Sequence, residues 1–435
     1  MLKIMSPLQS RDREGAVCPS VLLVFAIALL AVPEARSQQA RSIYANKTYG
    51  THFQTSDRCV ACHNGITTSG GEDISIGISW RTSMMANSGR DPYWMAGVRR
   101  ETIDHPPAAK AIQDECTICH MPMMRFEAKL AGGEGEVFAH LPPDPGKLAD
   151  RLSTDGVSCS LCHQITGEGL GTRASFVGGN FFMQRILNRF RGDLAVTAPP
   201  QEMDAAANRT VAHLQSQAAK VAIESAEIRN GRLEAAISVE NLGGHKLPTA
   251  YPSRRVWLHV TVRDRDGKTV FESGALHADG SIQGNDNDAD AMRFEPHYTE
   301  ITNPDQVQIY ESVMVGTNGM PTTGLLTALR YVKDNRLLPR GFDKRTADPE
   351  IAVHGEAEGD ADFTGGGDRI RYAMSVGAAQ GPFQIEAELW YQPIAYRWAM
   401  NLKPYDAAEP KRFVGYYESM AAGSGVMLAH ASGTR

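Results

Sequence analysis

The sequence is organised around three copies of one pentapeptide, Cys59-Val60-Ala61-Cys62-His63, Cys116-Thr117-Ile118-Cys119-His120 and Cys159-Ser160-Leu161-Cys162-His163. Of the seven cysteines in the 435 residues, only Cys18 lies outside these copies. Cys-x-x-Cys-His is the attachment signature of c-type haem, in which two thiols bond to the porphyrin edge and the adjacent imidazole binds the iron. The sequence therefore predicts three covalently bound haem c groups, with His63, His120 and His163 as the proximal ligands.

Other uses of Cys-x-x-Cys pairs fit this chain less well. Zinc ribbons combine two such pairs, and three pairs is an odd number. A thioredoxin-like motif follows a strand, and no strand pattern precedes any of the three copies. Structural disulfides are common in exported proteins, but they do not require a histidine after each pair.

The N-terminus has the pattern of an export signal. Lys3, Arg11 and Arg13 precede the apolar run 21–32, and small residues follow at Ala35-Arg36-Ser37. The apolar run is shorter than the about 20 residues needed to span a membrane, so an uncleaved anchor is the weaker alternative. We expect residues 1–37 to be a signal peptide and the mature chain to be periplasmic or extracellular.

Composition and charge narrow the classes of function. The chain is 42% hydrophobic and 22% charged, which is typical of globular proteins. Lys and Arg number 44 against 50 Asp and Glu, a formal net charge of -6, and no basic stripe is visible. Nucleic acid is therefore not an expected partner.

The chain is predicted to have an α+β fold with two domains after the signal. Residues 38–205 are predicted to form a trihaem domain of loops and short helical patterns at 94–102 and 181–190, in which the haems supply much of the apolar core. Residues 215–420 are predicted to form a β-sandwich-like domain with a helical insertion at 322–334.

Alternating apolar residues around turn dipeptides carry the β prediction. One hairpin is predicted over 221–239 around Asn230-Gly231, and another over 256–272 around Asp266-Gly267. Further strands are predicted at 307–310 and 383–391. The boundary between the two domains is expected between residues 200 and 221.

Two segments resemble the multihaem c-type cytochromes related to the tetrahaem electron carrier of ammonia oxidation. They are Asp155-Gly156-Val157-Ser158-Cys159-Ser160-Leu161-Cys162-His163 and Trp80-Arg81-Thr82-Ser83-Met84-Met85-Ala86. The resemblance covers roughly residues 50–170 and implies electron transfer. The family's Trp-x-x-Ser-x-His-Ala segment carries a distal histidine where this chain has Met85, so bis-histidine ligation of that haem does not carry over and the thioether of Met85 is a candidate ligand. The stretch 241–249 is similar to a segment that accompanies some such cytochromes.

The candidates for distal iron ligands are His52, Met85, His105 and His245. His52 and His105 precede the first and second motifs on short loops, and His245 lies in a Gly-Gly-His turn that could reach the other domain. His140, His213 and His297 are weaker candidates, and most of the remaining histidines must be bystanders. Met84, Met121, Met123 and Met124 indicate that methionine also serves here as packing.

A few other features have functional and structural interpretations. Trp80, Tyr93 and Trp94 are expected to pack at haem edges or in the core. Arg254 and Arg255 could pair with haem propionates. The acidic segments 286–290 and 360–368 could hold calcium, although neither has the EF-hand spacing.

The sequence favours an electron carrier between redox partner proteins and predicts no catalytic residue. One alternative is a multihaem oxidoreductase of a small nitrogen or sulfur compound, with one haem open to substrate. Another is a subunit of an extracellular conducting assembly, as a homo-oligomer or within a larger complex. All three share the same motifs, so whether the protein is an enzyme stays open at this point.

Overall fold

The computed structural model describes residues 52–71, 73–163 and 180–435. All of these fall within one compact unit, Tyr49–Arg435. The predicted signal peptide and Cys18 lie outside the described residues. In the part that is described, no helix has both the length and the apolar character that membrane crossing requires.

Short helices make up the first part of the described chain. Their bounds are α1 Ser56–Val60, α2 Ile76–Arg81, α3 Pro92–Asp104, α4 Ala109–His120, α5 Pro122–Leu130, α6 Leu148–Thr154 and α7 Cys159–Cys162. Helix α3 confirms the helix predicted at 94–102. It begins where the Asp91 side chain accepts hydrogen bonds from the backbone N–H groups of Tyr93 and Trp94, and it ends before Pro106.

A small apolar cluster joins α3 to α6, and methionine is its most frequent residue. Met121 and Met123 are 0% exposed and Met124 is 3% exposed, which confirms the prediction that methionine serves as packing here. The other buried members are Phe53, Val98, Ile112, Ala128, Val137 and Leu152. Cys116 and Leu161 pack against the cluster, so the second and third motifs share one hydrophobic base.

Two further helices connect this region to the sheets. Helix α8 spans Phe181–Arg189, as predicted, and α9 spans Pro200–Gln217 and leads directly into the first strand. Phe181, Phe182 and Met203 belong to the same core as the β-strands. The boundary proposed between residues 200 and 221 stays a prediction.

The second part of the described chain is built mainly of strands, in agreement with the α+β prediction. The strands are β1 Ala219–Arg229, β2 Arg232–Asn241, β3 Arg255–Arg263, β4 Thr269–Ser273, β5 Glu300–Ile301, β6 Ile309–Tyr310, β7 Ser312–Val315, β8 Pro321–Thr322, β9 Arg330–Asp334, β10 Gly367–Ser375, β11 Gln384–Gln392 and β12 Val426–Thr434.

Both predicted hairpins are present. Strands β1 and β2 pair antiparallel across Asn230 and Gly231, whose φ angles of 50° and 75° are both positive, as a two-residue hairpin turn requires. Strands β3 and β4 pair across the turn that contains Gly267. The strands predicted at 307–310 and 383–391 are observed as β6 and β11.

The strands form three sheets. One has the order β1-β2-β10-β5, and the second has the order β12-β11-β3-β4 with β6 also paired to β3. Leu233 and Ile370 of the first sheet and Leu258 and Ile385 of the second are buried in a common core. The apolar residues that occupy every second position of these strands in the sequence are therefore the residues that face this core.

The third sheet corrects the position of the predicted helical insertion. Strands β8, β7 and β9 form it in that order, and two of them lie within residues 321–334, where a helix was predicted. Leu325, Leu326 and Leu329 have a helical spacing, but they are exposed, and β9 pairs with β7 instead. The helical insertion of the β-rich part lies between β11 and β12, as α11 Tyr396–Met400 and α12 Ala408–Met420, and a short helix α10 covers Asp286–Ala289.

Candidate haem site

The six cysteines of the three motifs are free thiols in the described structure. In each motif the first cysteine is partly buried and the second is exposed. Cys116 packs against the apolar cluster, Cys159 lies on α7 beside Leu161 of the same cluster, and Cys59 lies on α1. The second cysteine of each motif is exposed. This arrangement leaves both thiols of each pair available to bond to a ring placed against the protein surface.

The second motif forms the last turn of α4, and its histidine is already oriented as an iron ligand. Nδ1 of His120 lies 2.9 Å from the carbonyl oxygen of Ser88. Because a carbonyl oxygen only accepts, Nδ1 carries the hydrogen, and the lone pair of Nε2 is free for iron. The Trp94 ring stacks on the imidazole at 4.3 Å with an interplanar angle of 1°.

Burial shifts the pKa values of both His120 and Cys116 in the second motif. It lowers the pKa of His120 to about 4, which keeps the imidazole neutral, the form that binds a metal. It also raises the pKa of the Cys116 thiol to about 11, and the charge of Glu101 adds to this shift. Glu101 Oε2 and His105 Nε2 lie 3.7 Å apart, and both are buried without a hydrogen-bond partner.

The first and third motifs are neighbours. Helix α1, which contains Cys59, packs on α7, which contains Cys159 and Cys162. Asp155 joins them, because its carboxylate accepts hydrogen bonds from the backbone N–H and the hydroxyl of Ser56 at 2.7 and 2.6 Å. Burial raises the pKa of Cys159, and the nearby Cys59 raises it further.

A cavity of about 600 Å³ opens beside the first motif. This volume falls in the range of about 300–1,000 Å³ that is usual for cofactor pockets. The lining residues are Thr55, Ser56, Asp57, Val60, Ala61, Asn64, Trp80, Arg81, Arg90, Pro143, Asp144, Pro145, Asp150, Arg151, Thr154, Asp155, Ala195 and Thr197. Since Val60 and Ala61 separate the two cysteines of the motif, the cavity lies where the ring attached there would be held.

Arg90 brings a buried cation to this cavity. Its side chain donates to the carbonyl oxygens of Ala195 and Ala86, each at 2.9 Å, and the residue is 6% exposed. Burial lowers the pKa of Arg90 to about 10, while the charge of Asp155 opposes that shift. Within the described part of the chain, Arg90 forms no direct ion pair, so it could hold a carboxylate of the cofactor, such as a haem propionate.

The two segments that carry the family resemblance lie side by side. Trp80 Nε1 donates to the carbonyl oxygen of Val157 at 2.9 Å, and the backbone N–H of Val157 donates to the carbonyl oxygen of Met85 at 3.0 Å. Gly156 permits this approach with a φ of 60°, because a Cβ there would lie 2.5 Å from the Met85 oxygen. The backbone of Met85 is thus beside the third motif, and ligation by its half-buried thioether stays a prediction.

The three candidate histidines occupy different surroundings. His52 Nδ1 lies 3.5 Å from Glu127 Oε2, and its ring packs edge-on against Phe126. His105 follows the last residue of α3, 11 residues after Trp94. Trp94 stacks on His120, and an α-helix rises about 1.5 Å per residue. His105 therefore lies about 16 Å along α3 from the His120 ring. His245 is exposed in the turn after β2.

Arg255 does not serve a haem propionate. It is 1% exposed and forms a bidentate ion pair with Asp288 at 2.8 and 2.9 Å. Asp288 is therefore committed to Arg255 rather than to a calcium ion in the segment 286–290. Arg254 donates to the carbonyl oxygen of Thr249.

The second acidic segment contributes to a buried cluster of His297, Asp360 and Asp368. Gln308 and Asn335 both point amide nitrogens at Nδ1 of His297, at 2.9 and 3.1 Å. Their amide oxygens accept backbone N–H groups, which fixes this orientation. Nδ1 is therefore an acceptor, and Nε2–H donates to Asp360 at 3.0 Å. Because this network satisfies the imidazole, we interpret the cluster as structural.

No protein-family model matches this chain. No curated protein matches it either. Among solved structures, the chain is similar to a penta-haem cytochrome c552 from Thermochromatium tepidum, with 14% sequence identity and a TM-score of 0.30. The match covers 88% of this chain, which spans 56% of the length of that cytochrome. A likeness at this level assigns no function to the chain, so the function is inferred from the residues of the site.

Sequence reasoning missed several residues around the motifs. The Ser88 carbonyl that orients His120 and the buried Arg90 come from a segment without a motif. Asp155 lies in the quoted segment of the third motif, but its contact with Ser56 was not foreseen. His140 and Asp150, which pair beside the cavity, were also not singled out together. Trp80 and Trp94 carried a usable signal, as aromatic residues near the motifs, and His140 was a weaker ligand candidate.

Proposed function

We propose that this chain is an exported trihaem c-type cytochrome that transfers electrons between redox partner proteins. The observation that carries the proposal is the presence of three complete Cys-x-x-Cys-His motifs that use every cysteine after Cys18. The hydrogen bond from His120 Nδ1 to the Ser88 carbonyl supports it, because this contact leaves Nε2 free to bind iron. Bound haem supplies reversible one-electron chemistry between ferric and ferrous iron.

The protein's own residues have distinct parts in this proposal. The six motif cysteines would hold the rings, and His63, His120 and His163 would bind the irons from one side. The contact between α1 and α7 supports a close pair formed by the first and third haems. Close rings favour electron passage within the chain, which is the property that a carrier needs.

Haem stoichiometry tests the proposal. The mature protein, made with the cytochrome maturation machinery, should give three haems per chain by pyridine haemochrome assay and by intact mass, with a mass that begins after residue 37. Replacing Cys116 and Cys119 by alanine should remove one haem. Ile118 lies between these cysteines and is 42% exposed, so Ile118→Ala is the matched control and should keep all three. Fewer than three haems in the unaltered protein contradict the trihaem proposal.

Ligand binding separates the carrier from an enzyme with an open haem. If all irons are six-coordinate, the reduced protein should not bind carbon monoxide stoichiometrically, and the ferric protein should show only low-spin signals. Stoichiometric binding of carbon monoxide or cyanide at one haem would instead favour the oxidoreductase of a small nitrogen or sulfur compound.

A further inference from the structure

His140 is paired in a way that leaves one ring nitrogen free. The residue closes a short 3₁₀ helix, Phe138–His140, and its side chain is 14% exposed. Nδ1 lies 2.6 Å from Oδ1 of Asp150. Because Asp150 is an acceptor when ionised, Nδ1 carries the hydrogen, and the lone pair lies on Nε2. No described residue forms a hydrogen bond with Nε2.

Asp150 ties this imidazole to the cavity beside the first motif. It is 4% exposed, it lines the cavity, and its second oxygen accepts the backbone N–H of Asp144 at 2.9 Å. The segment 143–145, which follows His140, forms another part of the cavity wall. The same wall includes Val60 and Ala61, between the cysteines of the first motif. His140 is not itself a lining residue, and it adjoins the cavity through Asp150 and the segment 143–145. The four candidates His52, Met85, His105 and His245 do not line the cavity either.

A carboxylate that accepts from one imidazole nitrogen while the other binds a metal is a common arrangement in metalloproteins. The carboxylate fixes the tautomer, holds the ring plane and makes the free nitrogen a stronger donor. Among the described residues, the His140 ring forms its hydrogen bond only to such a carboxylate, so it has the chemistry of an iron ligand.

We propose that His140 is the distal ligand of the haem attached at Cys59 and Cys62, and that Asp150 is its positioning residue. This inference rests on the proposed function, since it needs a haem at the first motif. His140 is then the second axial ligand, and its binding to iron closes that haem to external substrates.

The test uses the purified holoprotein with its haems quantified. In His140→Ala, one low-spin ferric signal should be lost and replaced by a high-spin signal, and the ferrous protein should bind one carbon monoxide per chain. Added imidazole should restore the low-spin spectrum. His430, an exposed residue of β12, provides the matched control, and His430→Ala should behave like the unaltered protein.

Two further variants keep the test decisive. Asp150→Asn should keep the low-spin spectrum but raise the potential of one haem, because an amide no longer increases the donor strength of the imidazole. If His140→Ala does not accumulate, His140→Met retains a possible ligand. It should then show a near-infrared sulfur-to-iron band and a higher potential for one haem.

The outcomes separate this inference from the proposed function. If three haems are present and the spin states, carbon monoxide binding and potentials are unchanged by both His140 substitutions, His140 is not a ligand, while the cytochrome proposal stands. If haem is absent from the unaltered protein, the proposed function itself fails.

Discussion

Asp91 allows a quantitative test of α3, the helix whose Trp94 stacks on His120. Its carboxylate caps α3, accepting from the backbone N–H groups of Tyr93 and Trp94 at 2.9 and 3.1 Å. Burial raises the pKa of Asp91 from 3.8 to about 6, although these two hydrogen bonds oppose the shift. The folded state therefore binds the Asp91 proton more tightly than the unfolded state does.

The sign and size of the effect follow from this difference. Because the folded protein holds more protons between pH 3.8 and about 6, its stability falls as the pH rises through that window, and the full cost is present above it. Two pKa units correspond to about 3 kcal/mol at about 1.4 kcal/mol per unit. Asp91 is not fully buried, and contact with solvent reduces this figure, so we expect about 1–2 kcal/mol.

Asp91→Asn should remove this cost and keep the cap, because an asparagine side-chain oxygen accepts the same two hydrogen bonds. In guanidinium unfolding followed by circular dichroism, the free energy of unfolding of Asp91→Asn relative to that of the unaltered protein should rise by about 1–2 kcal/mol between pH 4 and pH 7. Asp91→Ala loses the cap and should be less stable than Asp91→Asn by about 1 kcal/mol at every pH. Identical pH dependence in the unaltered protein and Asp91→Asn would refute the reasoning.

Three further outcomes test other parts of the structure. Arg255→Met should lower the free energy of unfolding by about 3–5 kcal/mol, because it leaves Asp288 buried and unpaired. Adding Asp288→Leu should recover most of this loss in the same denaturation assay, and additive losses would contradict the pairing. Gly156→Ala should lower the free energy of unfolding by at least about 1–2 kcal/mol, because a residue with a side chain is strained at this left-handed φ. An unchanged melting temperature would argue against the observed approach of the two segments. Arg90→Gln should lower the reduction potential of one haem in spectroelectrochemical titration, because a buried cation stabilises ferrous iron. Arg209→Gln, on the exposed face of α9, is the control and should leave all potentials unchanged.

The sequence alone determined the features that depend on near neighbours. The attachment motifs are contiguous, so the sequence predicts the haem-binding cysteines and the proximal histidines without reference to the fold, and this assignment stays a prediction. Helices at 94–102 and 181–190 and the hairpins around Asn230-Gly231 and Asp266-Gly267 follow from periodicity and turn chemistry, which act over a few residues. Electron transfer also follows from these motifs and stays a proposal.

Tertiary structure decided whatever depends on contacts between distant segments. Leu325, Leu326 and Leu329 have helical spacing, but pairing of β9 with β7 places that stretch in a sheet connection. His120 finds its carbonyl partner 32 residues earlier in the chain, at Ser88. His140 finds Asp150 only because a loop folds back on α6. Local preference is worth tenths of a kcal/mol per residue, whereas burial and charge-assisted hydrogen bonds are each worth about 1–3 kcal/mol. The packing of the whole chain therefore selects these partners, and no local pattern announces them.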